Sequence, residues 1–244
     1  MIRAELGRLV SGITLPVLLV VAALLNALAV YGIAVGMKLD QIGDAAPAAT
    51  QSLVTLGFGA TLFAMIFGAL SVTRDFGTTA IRRSAFLARG ADRLLGARLV
   101  ALSVPAAVFA VVGAGSAAAV TAIVFTANGT EPDFSGDTLT ALGGVAANIV
   151  FATYIGHLVG WQSRRSVWTI LGLVGYTLVL ETLVISILPS VGRFLPGGAG
   201  QAMMIDSSTT DEILPLGAGY AVAAAWIVVL ISLGVLRLRK TDLS

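Results

Sequence analysis

The chain of 244 residues is 57% hydrophobic and 11% charged, whereas about a quarter of the residues in a typical soluble domain are charged. A soluble core of this size cannot accommodate so much apolar surface, so a soluble globular protein is excluded. The chain has no cysteine and one histidine, which leaves no thiolate or multi-histidine metal site, and a net charge of +2 does not indicate a nucleic-acid partner.

The N-terminal segment 1–13 is predicted to be an amphipathic helix on the membrane surface. On this interpretation Arg3, Glu5 and Arg8 stay in water. The apolar face consists of five residues at helical spacing: Ile2, Leu6, Leu9, Val10 and Ile13.

Two other interpretations of the N-terminus remain open. The same residues could simply flank the first membrane span. Alternatively, Ala27-Leu28-Ala29 resembles the cleavage site of a secretory signal peptide. Because the apolar run continues to Gly36, longer than such a peptide needs, we expect the segment to be retained.

Six apolar runs predict an all-α, polytopic membrane protein with six transmembrane helices in one domain over residues 1–244. Five of the runs contain no Asp, Glu, Lys or Arg, and the other is interrupted only by Glu181. Each exceeds the roughly 18–20 residues that a membrane-spanning helix needs. The predicted spans lie near residues 12–36, 50–72, 98–126, 138–161, 167–188 and 214–236.

The basic residues predict the topology. Of the 15 basic residues, 13 lie in four segments that share one side of the membrane if the chain crosses it six times. By the positive-inside rule, that side and both termini are cytoplasmic. These residues are Arg3 and Arg8, then Arg74, Arg82, Arg83, Arg89, Arg93 and Arg98 in segment 73–98, then Arg164 and Arg165, and finally Arg237, Arg239 and Lys240.

Segment 73–98 is longer than a connection between two helices requires, since a handful of residues suffices at 162–166. Its apolar residues, among them Phe76, Ile81 and Leu87, recur at helical spacing between the arginines. We therefore expect one or two short cytoplasmic helices with an apolar edge that fits a groove of another protein. Binding of the arginines to anionic lipid headgroups is an alternative that can coexist with it.

Three polar residues within the spans are candidates for lining a substrate path. Glu181 is predicted to lie roughly 21 Å from the inner boundary, in the outer half of the bilayer, where an ionisable group needs a partner or water. Asn26 and Asn148 are the other two. For all three, a hydrogen bond to a neighbouring helix is the alternative, and it is favoured more strongly for the asparagines.

No motif for catalysis or nucleotide binding is present. Neither lysine follows a glycine-rich turn, so we expect no ATPase activity from this chain. The glycine pairs Gly57/Gly59 and Gly113/Gly115 predict close helix packing. Ser116 does not lie in a recognisable nucleophile turn, so we do not expect it to form a catalytic pair with His157. For His157 we expect a hydrogen-bonding role near the membrane interface.

Segment 73–98 resembles the loop between the second and third spans of type-2 ABC exporter permeases. Two further stretches are similar to these permeases, "FLPGGAGQAM" at 194–203 before the last span and the C-terminal "LRLRKTDLS". Within segment 73–98, the residues that match the family pattern are Asp75-Phe76, Ile81-Arg82, Arg93 and Ala97-Arg98.

The resemblance implies a permease subunit of an ATP-driven exporter in a bacterial cytoplasmic (inner) membrane. Two permease chains would pair with two separate ATPase chains, which would hold the ATP and Mg²⁺, and the second and fifth spans would line the path at the dimer interface. Segment 73–98 would dock into the ATPase. The implied ATPase-coupling residues are Arg74, Asp75, Phe76, Ile81, Arg82, Arg83 and Phe86.

Two other function classes remain possible. An ion-coupled secondary transporter would be expected to have inverted repeats and intramembrane charges, and a non-transport membrane scaffold needs neither. The short outer loops predict no separate extracellular binding domain. The substrate, and the choice between a homodimer and a pair of related permeases, are not readable from the sequence.

Overall fold

A computed structural model describes residues 2–37, 45–77, 81, 90–205 and 212–240. The regular secondary structure in these residues is entirely helical, and six helices are long and apolar enough to cross a membrane. The chain is therefore a multi-pass membrane protein, and each span lies within a few residues of its predicted position. The six spans are Thr14–Gly36, Ala46–Phe76, Arg93–Ala127, Gly136–Ser163, Ser166–Ile187 and Leu216–Arg237.

Two of the spans are not continuous α-helices. A 3₁₀ turn, Leu56–Gly59, interrupts the second span, and a π-helical segment, Tyr176–Glu181, interrupts the fifth. The α-helices are α1 (Ile2–Val10), α2 (Thr14–Gly36), α3 (Ala46–Thr55), α4 (Ala60–Gly77), α5 (Ala91–Ala127), α6 (Gly136–Ser163), α7 (Ser166–Gly175), α8 (Thr182–Ile187), α9 (Pro189–Gly192), α10 (Pro196–Met204) and α11 (Leu216–Lys240).

The two ends of the bundle differ in charge. Helix α1 and the ends of the second, fourth and sixth spans meet at one end, which we call the inner end; there Arg237 donates a hydrogen bond of 2.5 Å to the carbonyl of Gln162. The short helices α9 and α10 lie at the opposite, outer end. The distribution of arginines predicts that the inner end faces the cytoplasm.

The second and fourth spans form the centre of the bundle, and their backbones are in direct contact. A Cβ added at Gly68 would overlap the carbonyl oxygen of Thr153, and one added at Gly156 would overlap that of Met65. Helices approach this closely only through small residues. The share of the most apolar stretch that is buried within the chain is 56% for the fourth span but only 11% for the fifth.

The connection between the second and third spans is shorter than the predicted loop 73–98. Helix α4 continues to Gly77 and helix α5 begins at Ala91. Arg74, Asp75 and Phe76 therefore belong to the last turns of a spanning helix. The prediction ended the span at the first charged residue. A helix can continue beyond the hydrocarbon layer, however, because its backbone hydrogen bonds are formed within the helix itself.

The N-terminal helix forms as predicted, but the expectation that Glu5 stays in water is wrong. Glu5 is only 8% exposed, and Leu9 packs beside it against the third span. The carboxylate of Glu5 is buried because Arg8 and Arg98 pair with it. Ile13, at the end of the segment, is 78% exposed, so an apolar surface remains for the membrane, and the surface location of α1 stays a prediction.

Candidate functional site

Four charged side chains from three elements meet at the inner end: Glu5 and Arg8 of α1, Asp75 of α4 and Arg98 of α5. We call them the inner charge cluster. Asp75 Oδ2 lies 2.6 Å from Arg98 Nη2 and 2.9 Å from Arg8 Nη1. Glu5 Oε2 lies 3.0 Å from Arg8 Nη2 and 3.4 Å from Arg98 Nε. Each carboxylate is thus shared by both arginines, and the cluster is electrically neutral.

Arg98 is the buried centre of this cluster. Its side chain is 1% exposed, against 13% for Asp75 and 10% for Glu5. A charge removed from water to this extent is tolerated only when it is paired and hydrogen-bonded. On its other side, the guanidinium carbon of Arg98 lies 5.7 Å from the ring centre of Trp161, within the range of a cation–π contact. Arg98 therefore joins α1 and the second span to the fourth span.

Phe76, the residue after Asp75, is held by the inner end of the fourth span and the turn that follows it. Its ring meets that of Trp161 edge to face, with centroids 5.7 Å apart, and the guanidinium carbon of Arg164 lies 5.4 Å from the Phe76 ring centre. Burial, and then the positive charge of Arg237, lower the pKa of Arg164, although a guanidinium stays protonated in proteins. Asp75 and Phe76, near the start of segment 73–98, are therefore both held in place by contacts of their own side chains.

His157 extends the contact between the second and fourth spans. It is 1% exposed, and its Nδ1 lies 2.7 Å from Oγ of Ser71. The carbonyl of Ser71 in turn accepts a hydrogen bond of 3.1 Å from Arg8. The predicted hydrogen-bonding role of His157 is confirmed, but the residue is inside the bundle. Ser116 is not its partner, since its hydroxyl donates to the carbonyl of Gly113.

The remaining coupling candidates are placed differently from one another. Arg74 is exposed and donates a hydrogen bond of 2.6 Å to Oγ1 of Thr14, at the start of the first span. Ile81 is 3% exposed and packs in the same core cluster as Leu94 and Leu95, so its side chain faces the bundle. The other three lie outside the described residues: Arg82, Arg83 and Phe86.

The sequence does not reveal that Glu5, Arg8 and Arg98 belong to one site. The signal in the sequence that could have identified this site was the sign of the charges. Glu5 and Asp75 are carboxylates in inner segments where arginines predominate, and an acid in such a segment has a cation available as a partner. What could not be read was which arginine each acid meets.

Asn26, one of the substrate-path candidates, ties three spans together. It is 1% exposed, and its Nδ2 donates to the carbonyl of Gly57 at 3.2 Å and to that of Gly113 at 3.3 Å. Both carbonyls belong to the glycine pairs that the sequence predicted to be packing positions. Asn26 faces the helix interface in this structure, where an interhelical hydrogen bond is favoured because lipid offers no alternative partner.

Replacing Asn26 by alanine is expected to lower the free energy of unfolding by about 1 kcal/mol, because interhelical hydrogen bonds in membranes contribute roughly that much. The measurement is unfolding of the purified chain in detergent micelles. Asn128→Ala is the matched control, since Asn128 is exposed and donates only to its own helix at Val124. An equal loss in both variants would contradict the bridging role of Asn26.

Asn148 connects the second and fourth spans to the outer helix α10. Its Nδ2 lies 3.4 Å from Oγ1 of Thr61 and 3.7 Å from Sδ of Met204. The side chain is 7% exposed. Like Asn26, it contacts neighbouring helices.

Glu181 is buried against the start of α10. It is 3% exposed, its Oε1 accepts a hydrogen bond of 2.5 Å from the backbone N–H of Gly197, and the hydroxyl of Tyr176 lies 3.5 Å away. A Cβ at Gly197 would lie 2.7 Å from Cδ of Glu181, so a larger residue there would displace the carboxyl group from this contact. The N-terminus of a helix stabilises a negative charge. Glu181 therefore contacts a helix at the outer end of the bundle, and its position in the outer half of the bilayer stays a prediction.

Helix α10 is itself wedged between the fourth and sixth spans. A Cβ added at Gly144 would overlap the carbonyl oxygen of Met203, and one added at Gly219 would lie 2.7 Å from Cβ of Ala202. Glu181 therefore links the fifth span, which is otherwise little covered by the chain, to a helix that is fixed against the fourth and sixth spans. The π-helical turn that contains Glu181 is a form often found at functional positions.

Comparison of the sequence with models of protein families gives no match, and comparison with curated proteins finds no significantly similar chain. The support for a function therefore comes from the residues of this chain and their geometry.

Proposed function

We propose that this chain is the membrane-spanning permease subunit of an ATP-driven ABC exporter in a bacterial cytoplasmic membrane. Two permease chains form the substrate pathway, and two separate ATPase chains bind ATP and Mg²⁺ and carry out the hydrolysis. The chain itself is not an enzyme. Two lines support the proposal: the three stretches that resemble type-2 exporter permeases, and the connections of the inner charge cluster.

The connections of Asp75 and Phe76 are the observation that carries the proposal. Asp75 pairs with Arg8 of α1 and Arg98 of the third span, while Phe76 packs on Trp161 of the fourth span. A segment anchored in this way transmits a displacement to several helices together, because packed cores and paired charges move as rigid bodies more readily than they deform. A force applied to the segment after Phe76 would therefore move α1 and the inner ends of three spans.

In the proposed cycle, ATP binding draws the two ATPase chains together and pushes the two coupling segments. The permease pair then shifts between a state open to the inside and a state open to the outside, because ATP favours one of two pre-existing arrangements. The fifth span is the least buried of the six spans, since only 11% of its most apolar stretch is buried within the chain. That surface is available to a second permease chain.

Phe76→Ala, which removes the packing on Trp161 that anchors the segment, and Arg82→Glu, which reverses a charge within the segment, are each expected to lower co-purification of the ATPase subunit by about tenfold, because a few residues dominate the affinity of most interfaces. The measurement is the ratio of ATPase to permease after affinity purification from membranes, with insertion checked by the amount of permease in the membrane fraction. Phe58→Ala, at an exposed ring in the outer half of the second span, and Arg165→Glu, in the inner turn after the fourth span, are matched controls. Unchanged association in both test variants would refute the coupling role.

A single purification tests the class of protein. The tagged chain, isolated from its native host without an added partner, is expected to bring a stoichiometric ATPase subunit with it. A chain that purifies alone and moves substrate on an ion gradient would instead be a secondary transporter, and the proposal would be wrong.

A further inference from the structure

A cavity of about 150 Å³ lies at the outer end of the bundle. Ile185 of the fifth span lines one side, Gln201 of α10 lines another, and Glu212, just before the sixth span, closes it. Arg193, between α9 and α10, supplies a positive charge to the same cavity. The cavity thus combines a cation, a carboxylate and an amide with an apolar wall.

The two charges of the cavity have no ion-pair partner among the residues that the structure describes. Within the described residues, neither Arg193 nor Glu212 forms an ion pair with another side chain. The Nε of Arg193 is buried and has no hydrogen-bond partner there, although the guanidinium carbon lies 5.1 Å from the ring centre of Phe194. Arg193 lines the cavity, and a guanidinium that forms no ion pair with the described residues is available to bind a hydrogen-bond acceptor such as a phosphate group.

The position of the cavity indicates where that acceptor comes from. Arg193 follows the end of the fifth span at Ile187 by a few residues, and Glu212 precedes the start of the sixth span at Leu216 by a few. Both side chains therefore lie at the level of the outer lipid headgroups, next to the hydrocarbon layer. Arginine is disfavoured on the outer side by the positive-inside rule, so its presence here calls for a local reason.

We propose that this cavity binds the headgroup of a zwitterionic phospholipid, with the phosphate at Arg193 and the ammonium at Glu212. A guanidinium binds phosphate through charge-assisted hydrogen bonds, with two parallel donors when the geometry allows. The cavity holds a group the size of phosphoethanolamine and not a whole lipid, so the acyl chains lie outside it. Ile187, which is 71% exposed, and Leu183, which is 51% exposed, form the apolar surface of the fifth span for these chains.

Native mass spectrometry of the delipidated chain in detergent, given equal amounts of phosphatidylethanolamine and phosphatidylglycerol, tests the proposal. The wild-type chain is expected to retain phosphatidylethanolamine about tenfold more than phosphatidylglycerol, which corresponds to one decade in binding constant. Glu212→Gln is expected to remove this preference while lipid is still bound, and Arg193→Gln is expected to weaken binding of both lipids. These two results separate recognition of the ammonium from recognition of the phosphate.

Glu131→Gln, an exposed outer carboxylate away from the cavity, and Arg165→Gln, at the inner end, are matched controls that should leave the preference unchanged. Competition with soluble phosphoethanolamine at millimolar concentration distinguishes the source of the headgroup. If the compound displaces the lipid, the site also binds the free compound. If it does not, the site binds a membrane lipid alone. A wild-type chain without preference, or a preference that survives in Glu212→Gln, overturns the proposal. Because lipid retention is measured without the ATPase, this proposal and the transport proposal fail separately.

Discussion

Asp75→Ala is expected to lower the free energy of unfolding by about 3 kcal/mol, because breaking a buried ion pair leaves an uncompensated charge. Arg98, 1% exposed, would lose its closest carboxylate at 2.6 Å and keep only Glu5 at 3.4 Å. Arg8 would lose the same partner. The measurement is chemical unfolding of the purified chain in detergent, followed by tryptophan fluorescence, to which Trp161 beside Arg98 contributes.

Asp137→Ala is the matched control for Asp75. Asp137 is an exposed carboxylate in the first turn of the fourth span, at the outer end, so its loss should change stability by no more than about 0.5 kcal/mol, as at most surface positions. If Asp75→Ala lowered the free energy of unfolding by no more than Asp137→Ala does, the inner charge cluster would not compensate a buried charge.

The double variant Asp75→Leu with Arg98→Met separates stability from coupling. A buried ion pair can often be replaced by apolar residues of similar volume without loss of stability. We therefore expect this variant to unfold near the wild-type midpoint but to bind the ATPase subunit less, because the charged link between α1 and the coupling segment is gone. Wild-type association in this variant would remove the inner charge cluster from the proposed mechanism.

Glu181→Ala is expected to release α10 and to lower the free energy of unfolding by about 2 kcal/mol, since it leaves the buried N–H of Gly197 without an acceptor. Glu181→Gln should stay close to wild type, because the amide oxygen can still accept that hydrogen bond. The chain has no cysteine, so Gln201→Cys introduces a single thiol on α10. Its labelling by a maleimide should be several-fold faster in the alanine variant than in the glutamine variant.

The glutamine variant also distinguishes the two roles open to Glu181. If the carboxylate carries charge for a substrate or a coupling ion, Glu181→Gln abolishes transport even though α10 stays in place. If the residue positions α10, transport survives in the glutamine variant and fails in the alanine variant. Equal labelling of Gln201→Cys in both variants would contradict the positioning role.

Much of the fold was predictable because the bilayer acts as a uniform solvent. Its thickness and low polarity require about 20 apolar residues for each helix, and all six spans were found near their predicted positions. The packing role of Gly57 and Gly113 was also predictable, because it depends on side-chain size alone. Helix ends were less predictable, because α4 and α5 extend past the apolar runs that mark them.

The sequence by itself therefore determined that the chain is an all-helical, multi-pass membrane protein, the number and order of its spans, and the segment with the largest group of arginines. Only the tertiary structure decided which charges meet. Asp75 pairs with Arg8 and Arg98, and Glu181 reaches Gly197. These contacts join separate helices, and local spacing carries no information about them, because they depend on how the helices pack. The burial of Glu5 follows from the same cause, since a carboxylate leaves water only where packing brings arginines to it.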